Sequence, residues 1–464
     1  MRTIAKRLNI ESVRTREKTS VRAVPSETPW DTPGVNPSQA TTIVNARVFD
    51  GARLRDWTSV RFADGVVTDC ATGSTAQDGD EVIDAEGGTI LPGLIDSHVH
   101  LVPGALSQAL IFGVTTVLDM FSKPDVVAVA KQQAGTRSDV ADVRSVGIGA
   151  TAPGGHPSMM YAPFPTLTGP EQAEQFVADR VAEGSDYLKI FSGTAGRWPS
   201  LDLDTITGLT AAAHSRGLVV VAHISSMAGV REVVSAGVDV VAHVPVDGEL
   251  DKALAQRIAA AGIVVGPTMA TIENVLGEPG GAAVAGDPRL AEILADAWAR
   301  RLTSGAAGRR QGMPAYSRAE ENVGRLVDAG VTMLAGTDAP NPGTVFGASL
   351  HRELELLVRC GITPTQALTA ATAAPASVFN LADRGRIAPG QRADFVLVHG
   401  DPLTDITATR AIEQIWRAGV LCDRRAFVAS AAETEEVDAF YAQVAKAVAA
   451  VRERRSGFGS TETG

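Results

Sequence analysis

Cysteine is almost missing from this chain: 464 residues carry three, Cys70, Cys360 and Cys422. They are widely spaced and odd in number, which speaks against both a disulfide framework and a cysteine zinc site. Basic residues are outnumbered, with 42 Lys and Arg against 53 Asp and Glu and a formal charge of -11. An average field of that sign repels nucleic acid and anionic membranes, so neither is an expected partner and a small molecule is. Apolar runs fall short of the roughly eighteen residues that would suggest a bilayer span. The first forty residues hold basic side chains but no apolar segment of the signal-peptide kind, so no export and a cytoplasmic location are expected.

What is present is a large apolar fraction, 45% of the chain, enough to bury a sizeable core and to expect two domains. Residues 1–40 read as an N-terminal arm, rich in Pro, Ser and Thr after Val24, that packs on a neighbouring subunit of a homo-oligomer. Residues 41–90 read as short strands such as "TTIVNARVF" and "EVIDAEGGTI", separated by Gly and Asp turns. From 91 to 384 strands alternate with helices: "GTILPGLIDSHVH", "GVTTVLDM", "VRSVGIGA", "DYLKIF", "LVVVAHI", "VDVVAHV", "GIVVGPTM" and "VTMLAGTD" make eight. Gly113, Gly184, Gly217, Gly237, Gly262 and Gly330 stand where helices end, as left-handed C-caps. Eight such βα units predict an α/β fold, best satisfied by a (β/α)8 barrel, with an open doubly wound sheet as the alternative. The stretch from Ile272 to Gly330, with "GEPGGAAVAGDP", is read as a loop followed by two helices over the barrel mouth. Residues 385–432 return to strands, which are expected to join 41–90 in one small β-sandwich with the barrel inserted between, and 433–464 end in a helix and tail.

In a barrel of this kind chemistry sits at the C-terminal ends of the strands. The first strand carries "DSHVH", where strand alternation puts Asp96, His98 and His100 on one face, about 7 Å between alternate residues. Imidazoles are the commonest metal ligands, although a pair of hydrogen-bonded core histidines has the same pattern. Lys189 follows Leu188 in an apolar strand, where burial lowers the amine pKa. A neutral amine reacts with carbon dioxide to give a carbamate, an anionic ligand able to bridge two cations; a lysine salt-bridged to a neighbouring strand is the alternative. His223, His243 and Asp338 lie late in three further strands. Together these residues point to a site for two metals.

The set "DSHVH", "YLKIF", "VVAHI", "VVAHV" and "AGTDAP", closing with "GRIAPGQRADFVLVHGDP", resembles the amidohydrolase superfamily, especially its imidazolonepropionase-like and prolidase-like branch with two metals, from about Thr41 to Arg424. The resemblance implies that His98, His100 and Asp338 hold a first divalent ion, His223 and His243 a second, and carboxylated Lys189 bridges them, with CO2 or bicarbonate as the source of the carboxyl. Zinc is the first expectation, and cobalt, manganese or iron suit the same donors. Asp338 is then the proton carrier for a metal-bridging hydroxide that attacks a carbon–nitrogen bond of an amide, urea or carbamate. Related readings are an Xaa-Pro dipeptidase, an N-acyl amino acid hydrolase, and attack on an ester, lactone or phosphotriester; a non-catalytic metal-binding scaffold is the reading of another class.

His156, in a Gly-Gly-His turn, is a candidate donor to the substrate carbonyl, with Tyr161 beside it as a weaker substrate contact. Met159, Met160, Tyr161, Trp198 and Met269 are expected to line an apolar pocket, and no arginine clamp for a carboxylate stands out. Three histidines are set aside: His351, which shares a helix face with Glu355; His214, expected to cap carbonyls at a helix end; and His399, in the second β block.

Overall fold

Short β-branched segments pair first with what lies near them. Thr41–Val44 runs antiparallel to Ser59–Ala63 and parallel to Glu81–Asp84, and Val66–Ala71 completes a four-stranded sheet. A six-stranded sheet then joins distant parts of the chain in the order Val420–Leu421, Ile412–Arg417, Phe395–Val398, Thr89–Pro92, Arg47–Phe49 and Leu54–Arg55. Phe395 stands opposite Pro92 in antiparallel register. Phe62 of the smaller sheet meets Phe395 and Trp416 of the larger, ring centroids 5.3 and 6.0 Å apart, inside one apolar cluster with Ile43, Val48 and Ile90. The computed structural model describes residues 40–193, 198–304 and 314–425, with Glu435, Asp438, Ala439 and Ala442. The expected N-terminal arm, apart from Ala40, and all but those four residues of the expected C-terminal helix lie outside the described residues.

Between the two halves of the six-stranded sheet the chain is α/β. Leu94–Val99, Val114–Asp119 and Asp142–Ser145 form one parallel sheet, and Leu188–Phe191, Val220–His223, Val240–Ala242 and Val264–Gly266 a second. Apart from Asp142–Ser145, where Asp142 and Arg144 are only half-buried, these strands are buried on almost every residue because helices pack outside them. Single parallel bridges, Ala150 to Ile190, Val265 to Met333 and Val99 to Ala339, link these sheets and the segment after Gly330. The six glycines expected to end helices have φ between 68° and 87°, the left-handed conformation in which a missing Cβ removes the steric cost.

Two local expectations are corrected. "VTMLAGTD" is not a regular strand: it forms a single isolated bridge, at Met333, with scattered backbone bonds to its neighbours, because the Thr337 amide donates to the Asp96 carboxylate (3.0 Å) instead of to a ladder carbonyl, and Asp338 turns to φ 54°. The 272–330 stretch is more helical than a loop and two helices, with Met269–Val275, Gly280–Ala285, Pro288–Ala291, Asp296–Ser304 and Tyr316–Asp328. Gly281, in the part expected to be a loop, lies within a helix where a Cβ would collide with the backbone carbonyl of Leu302 and come within 2.7 Å of that of Gly343. Close packing, not a left-handed turn, explains that glycine. Among the described residues no helix is long and apolar enough to cross a membrane.

Because both obstacles at Gly281 are backbone atoms, Gly281→Ala is expected to destabilise the chain by about 1–3 kcal/mol, the usual penalty of overpacking. Urea denaturation followed by circular dichroism measures it, and an unchanged midpoint would contradict the packing described.

Candidate metal centre

The strand Leu94–Val99 delivers His98 from its last turn of pleat and His100 just beyond its end. His223 closes the strand Val220–His223, and His243 follows Val240–Ala242 by one residue. Lys189 sits inside Leu188–Phe191, fully buried. Parallel strands in register bring these positions to one end, so side chains far apart in sequence share a cavity of about 600 Å3 lined by His98, His100, His156, Tyr161, Lys189, His223, His243 and Asp338.

Asp338 Oδ1 lies 3.1 Å from His100 Nε2 and 3.4 Å from His98 Nε2. The His98 ring is 5.0 Å from that of His243, which is 4.5 Å from that of His223, centroid to centroid. His98, His243 and Asp338 each present one ligand atom within 4.8 Å of the others, a candidate metal site. This triad crosses the expected division, which put His243 with His223 and left His98 and Asp338 with His100. The Lys189 amine is buried without a hydrogen-bond partner and 5.8 Å from the Phe191 ring centroid. The salt-bridged lysine held open above is therefore not what is found.

Desolvation sets the protonation of this cluster. Burial, helped by the neighbouring Lys189 amine, pushes His98 well below the usual imidazole range; burial and the facing imidazoles do the same to His223. Burial takes His243 down to about 3 and His156 to about 4. Neutral imidazoles expose the lone pair that a cation needs. Burial also lowers Lys189 to about 7, against the pull of Asp338 and Asp119, so neutral amine is abundant at neutral pH. For Asp338 burial acts upward, but the His100 hydrogen bond and the nearby His243 and Lys189 outweigh it and the carboxyl lies below its ordinary value.

The backbone is strained where it serves this cluster: His243 and Asp338 have φ of 73° and 54°, and Thr268 behind His243 has 52°. Non-glycine residues rarely enter that region, and such strain persists only where surrounding contacts over-determine it. Asp96 provides one such set. Its carboxylate accepts from the Thr337 amide (3.0 Å), the Thr337 hydroxyl (2.7 Å) and the His98 amide (3.2 Å), tying the histidine strand to the Asp338 segment. Gly336 allows their contact, since a Cβ there would stand 2.8 Å from His98 Cβ. Gly149 leaves room beside Lys189, where a Cβ would meet the Phe191 ring at 2.6 Å.

His156 lies flat against His223, centroids 4.9 Å apart at 24°. Tyr161 packs on Phe121 at the cavity wall (4.6 Å). Met160 and Trp198 line the cavity as expected; the Met159 side chain lies outside the described residues. Met269 is corrected: it is buried in the core away from the cavity because its amide is pinned to the Glu353 carboxylate (3.0 Å). Among the described residues no arginine lines the cavity.

The histidines set aside stay apart, with two revisions. His351 bonds the Thr409 hydroxyl and the Phe112 carbonyl, each at 3.0 Å, while Glu355 pairs with Arg352 and Arg410 instead. His214 does not cap carbonyls; its Nε2 meets Asp239 Oδ2 at 2.9 Å, and Arg216 takes the Ala212 carbonyl. His399 is exposed beside Glu413. Two residues were missed by sequence reasoning. Asp119 ends its strand as the ligand candidates do, and its buried carboxylate holds the Leu101 amide and the Ser122 and Ser145 hydroxyls. Thr268 carried no sequence signal, since a threonine after "GP" looks like any loop residue.

The amidohydrolase family model matches residues 89–422, and the chain belongs to that family. It is 43% identical over 99 residues to imidazolonepropionase of Deinococcus deserti, a match that covers 20% of this chain and 25% of that protein. The aligned region thus spans only about a quarter of that relative. The solved structure of molinate hydrolase superposes with a TM-score of 0.66 at 21% identity, covering 85% of this chain and 98% of the other. A Xaa-Pro dipeptidase with bound methionine gives 0.65 at 21% identity, covering 82% and 99%. At that identity the superpositions speak for the fold alone.

Asp96→Asn would leave one acceptor oxygen and an amide facing three donors. Loss of about 1–3 kcal/mol of stability is expected, the cost of buried groups left unpaired, together with weaker metal retention; thermal melting and metal analysis of the purified variant check both.

Proposed function

We propose that this chain is a metal-dependent hydrolase that cleaves the carbon–nitrogen bond of an amide, urea or carbamate in a small molecule, in the mouth of a closed (β/α)8 barrel. The three single bridges that link the parallel sheets support closure, and the apolar cluster shared by the four- and six-stranded sheets supports a flanking β-sandwich.

The observation that carries the functional reading is the convergence of five imidazoles, the partnerless Lys189 amine and the Asp338 carboxylate in one cavity. A buried amine with no partner is costly unless something else occupies its surroundings. The donor set fits two divalent ions, zinc by first expectation, which His98, His100, His223, His243, Asp338 and Lys189 as its carbamate would hold. Such ions, when bound, would supply Lewis acidity and lower the pKa of water toward roughly 7.

The chain's own groups do the rest. Asp338, held below the ordinary carboxyl range, is ionised and accepts the proton of the attacking water, then returns it to the departing nitrogen. His156, lying over His223, donates a hydrogen bond to the carbonyl oxygen as charge builds there. Met160, Tyr161, Trp198, Ile272 and Val275 offer an apolar wall for the substituent on the carbonyl or nitrogen.

Asp338→Asn is expected to keep the fold and most of the metal but to lose turnover by at least about a hundredfold, the scale of a lost proton carrier. Turnover on a panel of neutral amides, ureas and carbamates, with metal content measured on the same samples, is the test; near-parental rates would remove Asp338 from this role. Lys189→Met should bind fewer ions per chain, and stripped parent protein should reload more fully with bicarbonate present than without it. Equal reloading would argue against a carbamate.

A further inference from the structure

The ring of His243 meets the His223 ring edge-on inside the cavity. Its Nδ1 points the other way, into a fully buried contact 2.7 Å from Thr268 Oγ1. The Pro267 carbonyl oxygen, 2.8 Å from Thr268 Oγ1, can only accept, so the pairing that satisfies both contacts has the hydroxyl donating to Pro267 and accepting from His243 Nδ1. In that arrangement the lone pair of His243 is left on Nε2.

We propose that Thr268 is a positioning residue: it selects the tautomer of His243 and fixes the ring plane so that Nε2 is offered to a divalent cation. The proposal rests on the reading of His243 as a metal ligand. Contrast His100, whose buried Nδ1 has no hydrogen-bond partner among the described residues; Asp338 meets its other nitrogen and the His98 ring packs edge-on against it.

The local backbone supports this role. Thr268 is β-branched and sits at φ 52°, a conformation that glycine adopts at little cost and threonine does not. Backbone geometry therefore gives no reason for a threonine here; the hydroxyl does. What holds the strained residue is the segment after it: the Met269 and Ala270 amides, at the start of the helix Met269–Val275, donate to the two oxygens of Glu353 at 3.0 and 2.7 Å. Glu353 is fully buried in the helix Ala348–Arg359. The chain of contacts runs from that helix through Glu353 and Thr268 to one imidazole of the cavity, and supports by hydrogen bonding a group that would otherwise rotate about its χ2.

Thr268→Ser, Thr268→Val, Thr268→Gly and His243→Ala separate the possibilities. Each full-length variant is stripped, reloaded with Zn2+ or Co2+, and titrated with chelator to obtain metal per chain and affinity; the visible spectrum of the Co2+ form and the melting temperature of the stripped form are recorded alongside. Thr268→Ser, which keeps the hydroxyl, should match the parent. Thr268→Val and Thr268→Gly should each lose roughly 10–100-fold in affinity for one ion, the usual effect of removing a ligand's hydrogen-bond partner, with an altered Co2+ spectrum. Relief of the left-handed strain by glycine offsets the His243 Nδ1 left unpaired, so the stripped Thr268→Gly protein should melt close to the parent. A merely structural threonine would not give weaker metal binding with an undiminished fold. Parental affinity in both Val and Gly variants, with one ion lost from His243→Ala, overturns the positioning role and leaves the metal reading standing. A Ser variant as weak as Val also overturns it. Parental metal binding by His243→Ala overturns the reading of His243 itself.

Discussion

Everything at the centre of this molecule follows from taking an amine and four imidazoles, those of His98, His156, His223 and His243, out of water together. Each alone would lose its proton on burial; together they also repel one another's charge, so the cluster is driven to neutrality. Neutral nitrogen donors grouped around one ionised carboxylate are what a divalent cation recruits and what a folded core without one has no use for. The cost of assembling them is visible in the backbone, where His243, Thr268 and Asp338 all occupy left-handed conformations.

Around that cluster the supporting contacts are of two kinds. Carboxylates that face backbone amides and hydroxyls lock the strand ends: Asp96 across to Thr337, Asp119 to Leu101, Ser122 and Ser145, and Glu353 to the helix behind Thr268. Glycines make room for close approach, Gly336 beside His98 and Gly149 beside Lys189. Neither kind lines the cavity, yet both hold the donor atoms in place.

The strand-end residues were legible in the sequence because the alternation of apolar strands and glycine-terminated helices gives the end of each strand away. His98, His100, Lys189, His223, His243 and Asp338 meet in one cavity on that basis alone. The supporting layer was much less legible. Thr268 and Gly336 act through contacts with residues remote in sequence, and no local pattern marks them. Periodicity also misjudged "GEPGGAAVAGDP", where glycine serves helix packing rather than a turn, and overestimated the last strand, whose amide is claimed by a side chain. His214 and His351 showed the limit of helix-spacing rules, since their partners, Asp239, Thr409 and Phe112, come from elsewhere in the chain.

The six-stranded sheet has a consequence for how the molecule is assembled. Thr89–Pro92 pairs with Phe395–Val398, about three hundred residues further on, so on the ribosome that edge has no neighbour until nearly all of the α/β portion has emerged. Such distant pairing is slow to form and leaves an adhesive β edge waiting. The join between the first and last parts of the chain thus acts as a clasp that fastens late, and a polypeptide cut short before Phe395 would carry that open edge throughout its lifetime.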